Sequence, residues 1–167
     1  VKGDILRKSA VGVIATNDNP SGSGGSNFVY GMDGTFAFFD NLQINTFWAK
    51  SDTPGRQSGN DTSYRAQFNY DADRYGAQLE RVTVGEDFNP GLGFVRRPDM
   101  RRSYGVLRSS PRPGGRTPIR KFRYQTNAGF IENNAGRLES RQLDGEFAIE
   151  FQSGDQFQLR YSDNYEF

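Results

Sequence analysis

A period of two runs through most of this chain and limits what it can fold into. In residues 42–50, Leu42, Ile44, Thr46 and Trp48 alternate with Gln43 and Asn45. In residues 64–70, Tyr64, Ala66, Phe68 and Tyr70 alternate with Arg65, Gln67 and Asn69. Tyr75, Ala77 and Leu79 alternate with Gly76, Gln78 and Glu80. The same rhythm sets Phe122, Tyr124, Thr126, Ala128 and Phe130 against Arg123, Gln125 and Asn127. It sets Leu143, Gly145, Phe147, Ile149 and Phe151 against Glu146, Ala148 and Glu150. Near the C-terminal end it sets Phe157, Leu159 and Tyr161 against Gln158, Arg160 and Ser162. Successive side chains of a strand point to opposite faces, so each segment has one apolar and one polar face. A helix would need a period near 3.6, and none of these segments has it.

The expected fold is all-β: an antiparallel up-and-down meander of roughly nine strands, each about 8–14 residues long. Turn residues separate the segments. A turn at 71–74 would set Tyr70 opposite Tyr75 and Phe68 opposite Ala77. A turn at 152–156 would set Phe151 opposite Phe157. Asn133 and Asn134 can supply the positive φ angles of a tight hairpin turn, which would set Tyr124 opposite Leu143. The connections at 17–27, 51–61 and 85–100 are long, and those at 40–41, 71–74 and 153–155 are short. Long loops on one side and short turns on the other are the habit of an outer-membrane-type β-barrel. The connection at 109–118 is longer than that pattern asks of a turn on the short side.

Composition fits such a barrel and excludes several functions. Only 34% of the residues are hydrophobic, yet 14% are aromatic. Disordered chains are poor in aromatics, whereas a barrel shows every second residue to lipid and the rest to a polar lumen. There is no Cys and no His, which removes disulfides, thiol chemistry, the usual zinc sites and every imidazole-based triad. No apolar run approaches the roughly 18 residues of a membrane-spanning helix. Neither a cofactor nor a metal is expected. Glu146 and Glu150 could be read as a glycosidase pair, but four residues along one strand separate their α-carbons by about 13 Å, beyond the usual spacing. The chain is therefore expected not to be an enzyme. The Asn- and Asp-rich stretches at 17–20 and 71–73 match no complete calcium loop.

The charge is locally uneven. Lys and Arg total 21 against 20 Asp and Glu, but residues 96–123 hold ten of the cations and a single acid, Asp99. The expected account is arginines on loops and on the polar lumen face, balanced by acids on neighbouring strands. No nucleic-acid-binding motif accompanies them, and no nucleic-acid partner is expected. A lumen charge network is expected from Arg65, Glu80, Arg123, Glu146, Glu150 and Arg160, because unpaired buried charge is costly. Trp48, Phe68, Phe122, Phe147 and Tyr161 are expected to face lipid. In residues 88–97, Asn89 and Pro90 start a turn and Gly91 and Gly93 free the backbone, and Arg96, Arg97, Arg101 and Arg102 belong at the polar rim or in the lumen near acids such as Glu80 or Glu86. The following strand is expected to begin near Arg102 and to run to about Arg108.

The run Phe88, Asn89, Pro90, Gly93, Phe94, Val95, Arg96 and Arg97 resembles a family. So do residues 26–55, 64–97, 101–105, 110–113 and 136–167, and between them these stretches cover most of the chain. The family is the C-terminal domain, of unknown function, of large bacterial outer-membrane-type proteins with an N-terminal carbohydrate-binding-like domain of the family-nine type. The resemblance implies a single β-barrel-type domain over 1–167, part of a longer chain, in the bacterial outer membrane. Its implied partners are outer-membrane lipid or lipopolysaccharide and the rest of the parent chain. Two alternatives stay open. One is a secreted, extracellular β-rich subunit that self-assembles through its sheet edges. The other is a soluble carbohydrate-binding β-sandwich, with Trp48 and tyrosines as a stacking platform.

Overall fold

The computed structural model describes residues 2–4, 8–19, 25–56 and 59–167. The connections expected at 17–27 and 51–61 run partly through 20–24 and 57–58, outside the described residues. The fold is all-β. The strands are β1 (Lys2–Asp4), β2 (Ala10–Asp18), β3 (Asn27–Phe38), β4 (Leu42–Asp52) and β5 (Thr62–Asp71). They continue with β6 (Tyr75–Val84), β7 (Met100–Ser109), β8 (Ile119–Glu132), β9 (Leu138–Phe151) and β10 (Gln156–Glu166). They form one ten-stranded sheet in sequence order, with every neighbouring pair antiparallel. Among the described residues β1 and β10 are the two edges, and the sheet is not closed on itself.

The pairing keeps the apolar face continuous from strand to strand. Ile44 lies opposite Phe68, Phe68 opposite Leu79, and Leu79 opposite Gly105. Tyr124 lies opposite Phe147, and Phe147 opposite Leu159. These contacts make small aromatic clusters, such as Phe122 and Phe147 stacked at 6.3 Å between ring centroids. Aromatic pairs of this kind add about 0.5–1.5 kcal/mol beyond the area they bury.

Three expected registers are corrected. Tyr70 faces Ala77 instead of Tyr75, and Phe68 faces Leu79 instead of Ala77. The hairpin is tighter than a four-residue turn, because Ala72 N donates to Tyr75 O at 2.9 Å. Phe157 faces Ile149 instead of Phe151, since Phe151 N already bonds Asp155 O at 2.9 Å. Tyr124 faces Phe147 instead of Leu143. That turn closes between Asn133 and Arg137, and its positive φ, 83°, falls on Gly136 and on neither asparagine. Glycine takes that conformation without the Cβ clash asparagine would meet.

Connections alternate between the two ends of the sheet, and length sorts them only in part. Residues 39–41, 72–74 and 152–155 turn at one end, joined there by the nine-residue segment 110–118. Residues 53–61, 85–99 and 133–137 connect strands at the other. The segment 110–118 is held against its neighbours: Ser110 N donates to Arg74 O at 2.7 Å, and Gln152 N to Pro118 O at 2.7 Å. No conventional core lies on either face. Among the described residues the buried apolar side chains are Val29, Val84, Phe88 and Ala148.

Candidate functional site

The polar face carries the charge. Register places Arg65, Glu80, Arg123, Glu146, Glu150 and Arg160 on one side of the sheet. Trp48, Phe68, Phe122, Phe147 and Tyr161 lie on the other. The charged residues form separate clusters, each with a glutamate shared by two cations. Glu80, whose side chain is 8% exposed, accepts from Arg65 Nη2 at 2.6 Å and from Arg102 Nη1 at 3.1 Å. Glu146 accepts from Arg123 Nε at 2.9 Å and Arg160 Nε at 3.2 Å. Glu150 meets Arg120 at 2.8 Å and Lys121 at 3.0 Å. Placing these six residues on one face follows from alternation; Arg102 joins Glu80 as one of the arginines expected near that acid, whereas Arg120 and Lys121 complete the Glu150 cluster without a signal in the sequence.

Amides and hydroxyls fill the spaces between the clusters. Arg65 also donates to Gln67, which accepts from Asn45 at 3.3 Å, and Asn45 accepts from Gln43 at 3.4 Å. Asp144 accepts from Ser162 at 2.7 Å and, through its other oxygen, from Gln142 at 2.8 Å. Toward the β10 edge a cleft of about 540 Å³ opens over Arg102, Tyr104, Gln142 and Asn164. Arg102 lies over the Tyr104 ring, 5.2 Å from its centroid.

The arginine-rich segment is largely neutralised by its neighbours. Seven of the ten cations in residues 96–123 pair with acids. Arg97 pairs with Glu139, Arg108 with Asp71 and Arg112 with Asp73. Arg101 bonds the Asn134 side-chain oxygen at 3.1 Å, and Arg96 is exposed in the loop. Of the four arginines expected near Glu80 or Glu86, Arg102 meets Glu80. Arg97 instead finds Glu139, because the loop swings toward the start of β9. The strand proper begins at Met100, close to where it was expected.

The loop between β6 and β7 does more than span a rim. Asp87 N donates to Asn60 O at 3.0 Å, and Asn89 N donates to Ser51 Oγ at 3.0 Å. Asn27 Nδ2 donates to Asn89 O at 3.2 Å, while Asn27 Oδ1 accepts from Thr53 at 2.6 Å. The segment Phe88, Asn89, Pro90 therefore lies across the polar face at its long-loop end, and Phe88 is buried there. Pro90 O accepts from Gly93 N at 3.0 Å, and Gly91, not Gly93, has the positive φ, 60°. Phe94, Arg96 and Arg97 remain outside, exposed. The sequence held one signal for this placement. Val29, Val82 and Val84 interrupt the polar face near strand ends, where an apolar side chain needs a cover.

The opposite face is open to its surroundings. Leu107 is 59% exposed, Leu159 62% and Tyr161 68%. Tyr70, Tyr75 and Tyr124 lie toward the short-turn end of this face, and Trp48, Tyr64, Phe130 and Tyr165 toward the long-loop end. Charged residues also stand on the apolar face toward its long-loop end, among them Lys50, Arg81, Arg101, Arg141 and Asp163. Arg81 bonds Ser103, and Arg141 pairs with Asp163 at 2.7 Å.

No known family, curated protein or solved structure matches the chain.

Proposed function

We propose that this chain is a bacterial outer-membrane β-barrel domain, structural or transport-related, built as part of a longer barrel protein. Lipid or lipopolysaccharide meets its apolar face, and its polar face lines the interior. One observation carries the reading. The sheet leaves an aromatic and aliphatic face open across all its long strands and collects its glutamate clusters on the other. A water-soluble sheet buries such a face, whereas a transmembrane barrel turns it to lipid. Strand lengths support the reading: β4 to β10 have 10–14 residues, enough for the roughly 9–11 that a tilted membrane strand requires. Tyrosines and Trp48 near the two ends of the apolar face suit the two interfacial girdles.

The outer edge of β10 bears on the form of the assembly. Nearly all its residues are exposed, and its eleven pairs with β9 leave the other side of the strand without a neighbour among the described residues. Within lipid every backbone polar group has to be paired, so that edge requires a further strand. The resemblance in residues 88–97 favours the rest of a longer parent chain, one with a carbohydrate-binding-like domain upstream. The same edge favours a second reading, a secreted subunit that assembles by strand addition.

Detergent dependence tests the proposal. The purified chain should be monodisperse and β-rich in detergent micelles and should precipitate when detergent is removed. A monodisperse monomer in plain buffer that binds glycans would return the chain to the soluble sandwich. Ordered fibres in plain buffer would favour strand addition.

A further inference from the structure

We infer that residues 85–93 form a strap that shuts solutes out of the long-loop end of the polar face. The inference rests on reading that face as a solute-accessible interior. The strap leaves the end of β6 and runs back over the strands that precede it. Gly85 N bonds Thr62 O at 2.8 Å at the start of β5, and Asn89 N bonds Ser51 in β4. Asn89 O is bonded by Asn27 in β3, and a Cβ on Gly91 would lie 3.6 Å from Asp18 in β2.

Burial follows this path. Val29, Ser51, Ser63 and Val84 all point to the polar face, and none is more than 8% exposed. Further along β5, Arg65 and Gln67 share the same face and are only partly buried. A loop that stayed at the rim would leave the first group as open as the second. The fastening is made largely by side chains. Ser51 Oγ accepts from Asn89 N, and Asn27 Nδ2 donates to Asn89 O. Both backbone polar groups of Asn89 are thus held by groups that can be removed without touching the strand pairing. Phe88 supplies the apolar anchor.

The chain has no cysteine, so single thiols report access to solute without background. The probe is a charged, water-soluble methanethiosulfonate, applied to the full chain in detergent micelles. Ser63→Cys places the thiol beneath the strap, and Gln67→Cys places it four residues along the same strand and face. The thiol at 63 should react much more slowly than the thiol at 67. Adding Ser51→Ala with Asn27→Ala should speed reaction at 63 by about tenfold, equivalent to about 1.4 kcal/mol in the opening equilibrium, and leave 67 unchanged. If the double variant does not fold, Phe88→Ala should give the same selective gain. Equal rates at 63 and 67 before any release would overturn the strap. So would no gain at 63, or an equal gain at both positions. Quenching of Trp48 by lipid tests the membrane reading separately. Unquenched Trp48 beside a clear contrast between 63 and 67 would sink the membrane reading and leave the strap as a cover over the polar face.

Discussion

Replacing Leu79 with arginine distinguishes a lipid-facing surface from a wet one. Leu79 sits at the middle of β6, on the apolar face between Phe68 and Gly105, and is 51% exposed. In a water-soluble protein an arginine at such a site changes stability by no more than about 0.5 kcal/mol, because the guanidinium stays hydrated. At the midplane of a bilayer the same change costs about 2–4 kcal/mol. Tyr75 lies on the same face at the end of the same strand, where Tyr75→Arg should cost only about 0–1 kcal/mol. Gln78→Arg, on the polar face, serves as the control. The assay is reversible urea unfolding from lipid vesicles, followed by Trp48 fluorescence. The expected result is a gap of about 2 kcal/mol between Leu79→Arg and Tyr75→Arg in vesicles. Equal costs at the two depths would refute the placement of this face in lipid.

Other outcomes follow from the clusters and from the strap. Glu80→Gln should cost about 1–2 kcal/mol in the same unfolding assay, because it leaves Arg65 and Arg102 facing each other without their shared acid. Glu146→Gln should cost less than about 1 kcal/mol, since Arg160 is 72% exposed and water can replace the lost partner. The reverse order would show that burial does not set the worth of these pairs. Gly85→Ala should destabilise the long-loop end by about 1–3 kcal/mol, because a Cβ there would stand 1.9 Å from Asn60 O. Hydrogen exchange should localise the loss to the ends of β5 and β6, and a uniform loss across the sheet would contradict the close approach as its cause.

Alternation and register were not equally legible in the sequence. The faces of β4, β5, β6, β8, β9 and β10 were all assigned correctly, yet three of their registers were displaced. Tyr70 moved by two residues relative to its partner, Phe157 by two and Tyr124 by four. All of these slips are even. An odd slip would carry Phe68 or Phe147 onto the charged face, so parity is strongly specified by the side chains. An even slip keeps every apolar residue on its own side and depends on the turn alone. The turn is decided by backbone details, such as which of Asn133, Asn134 and Gly136 takes the positive φ. The charge clusters were half legible for the same reason. Alternation put Glu80 and Arg65 on one face, but only the true register brings Arg102 beside Glu80. The strap was hidden because its contacts join residues far apart in sequence, Asn27 and Ser51 with Asn89, and no local pattern records them.

Trp48 offers the most direct measurement of the central claim. It is the chain's single tryptophan and lies on the apolar face beside Tyr30, with ring centroids 5.8 Å apart. The protein is refolded into vesicles whose lipids carry bromine at defined depths along the acyl chain. The account predicts a blue-shifted Trp48 emission, quenched most strongly by bromine placed near the headgroup end of the chain, where a girdle residue belongs. Emission that stays at the wavelength of a water-exposed indole and is indifferent to brominated lipid would contradict it.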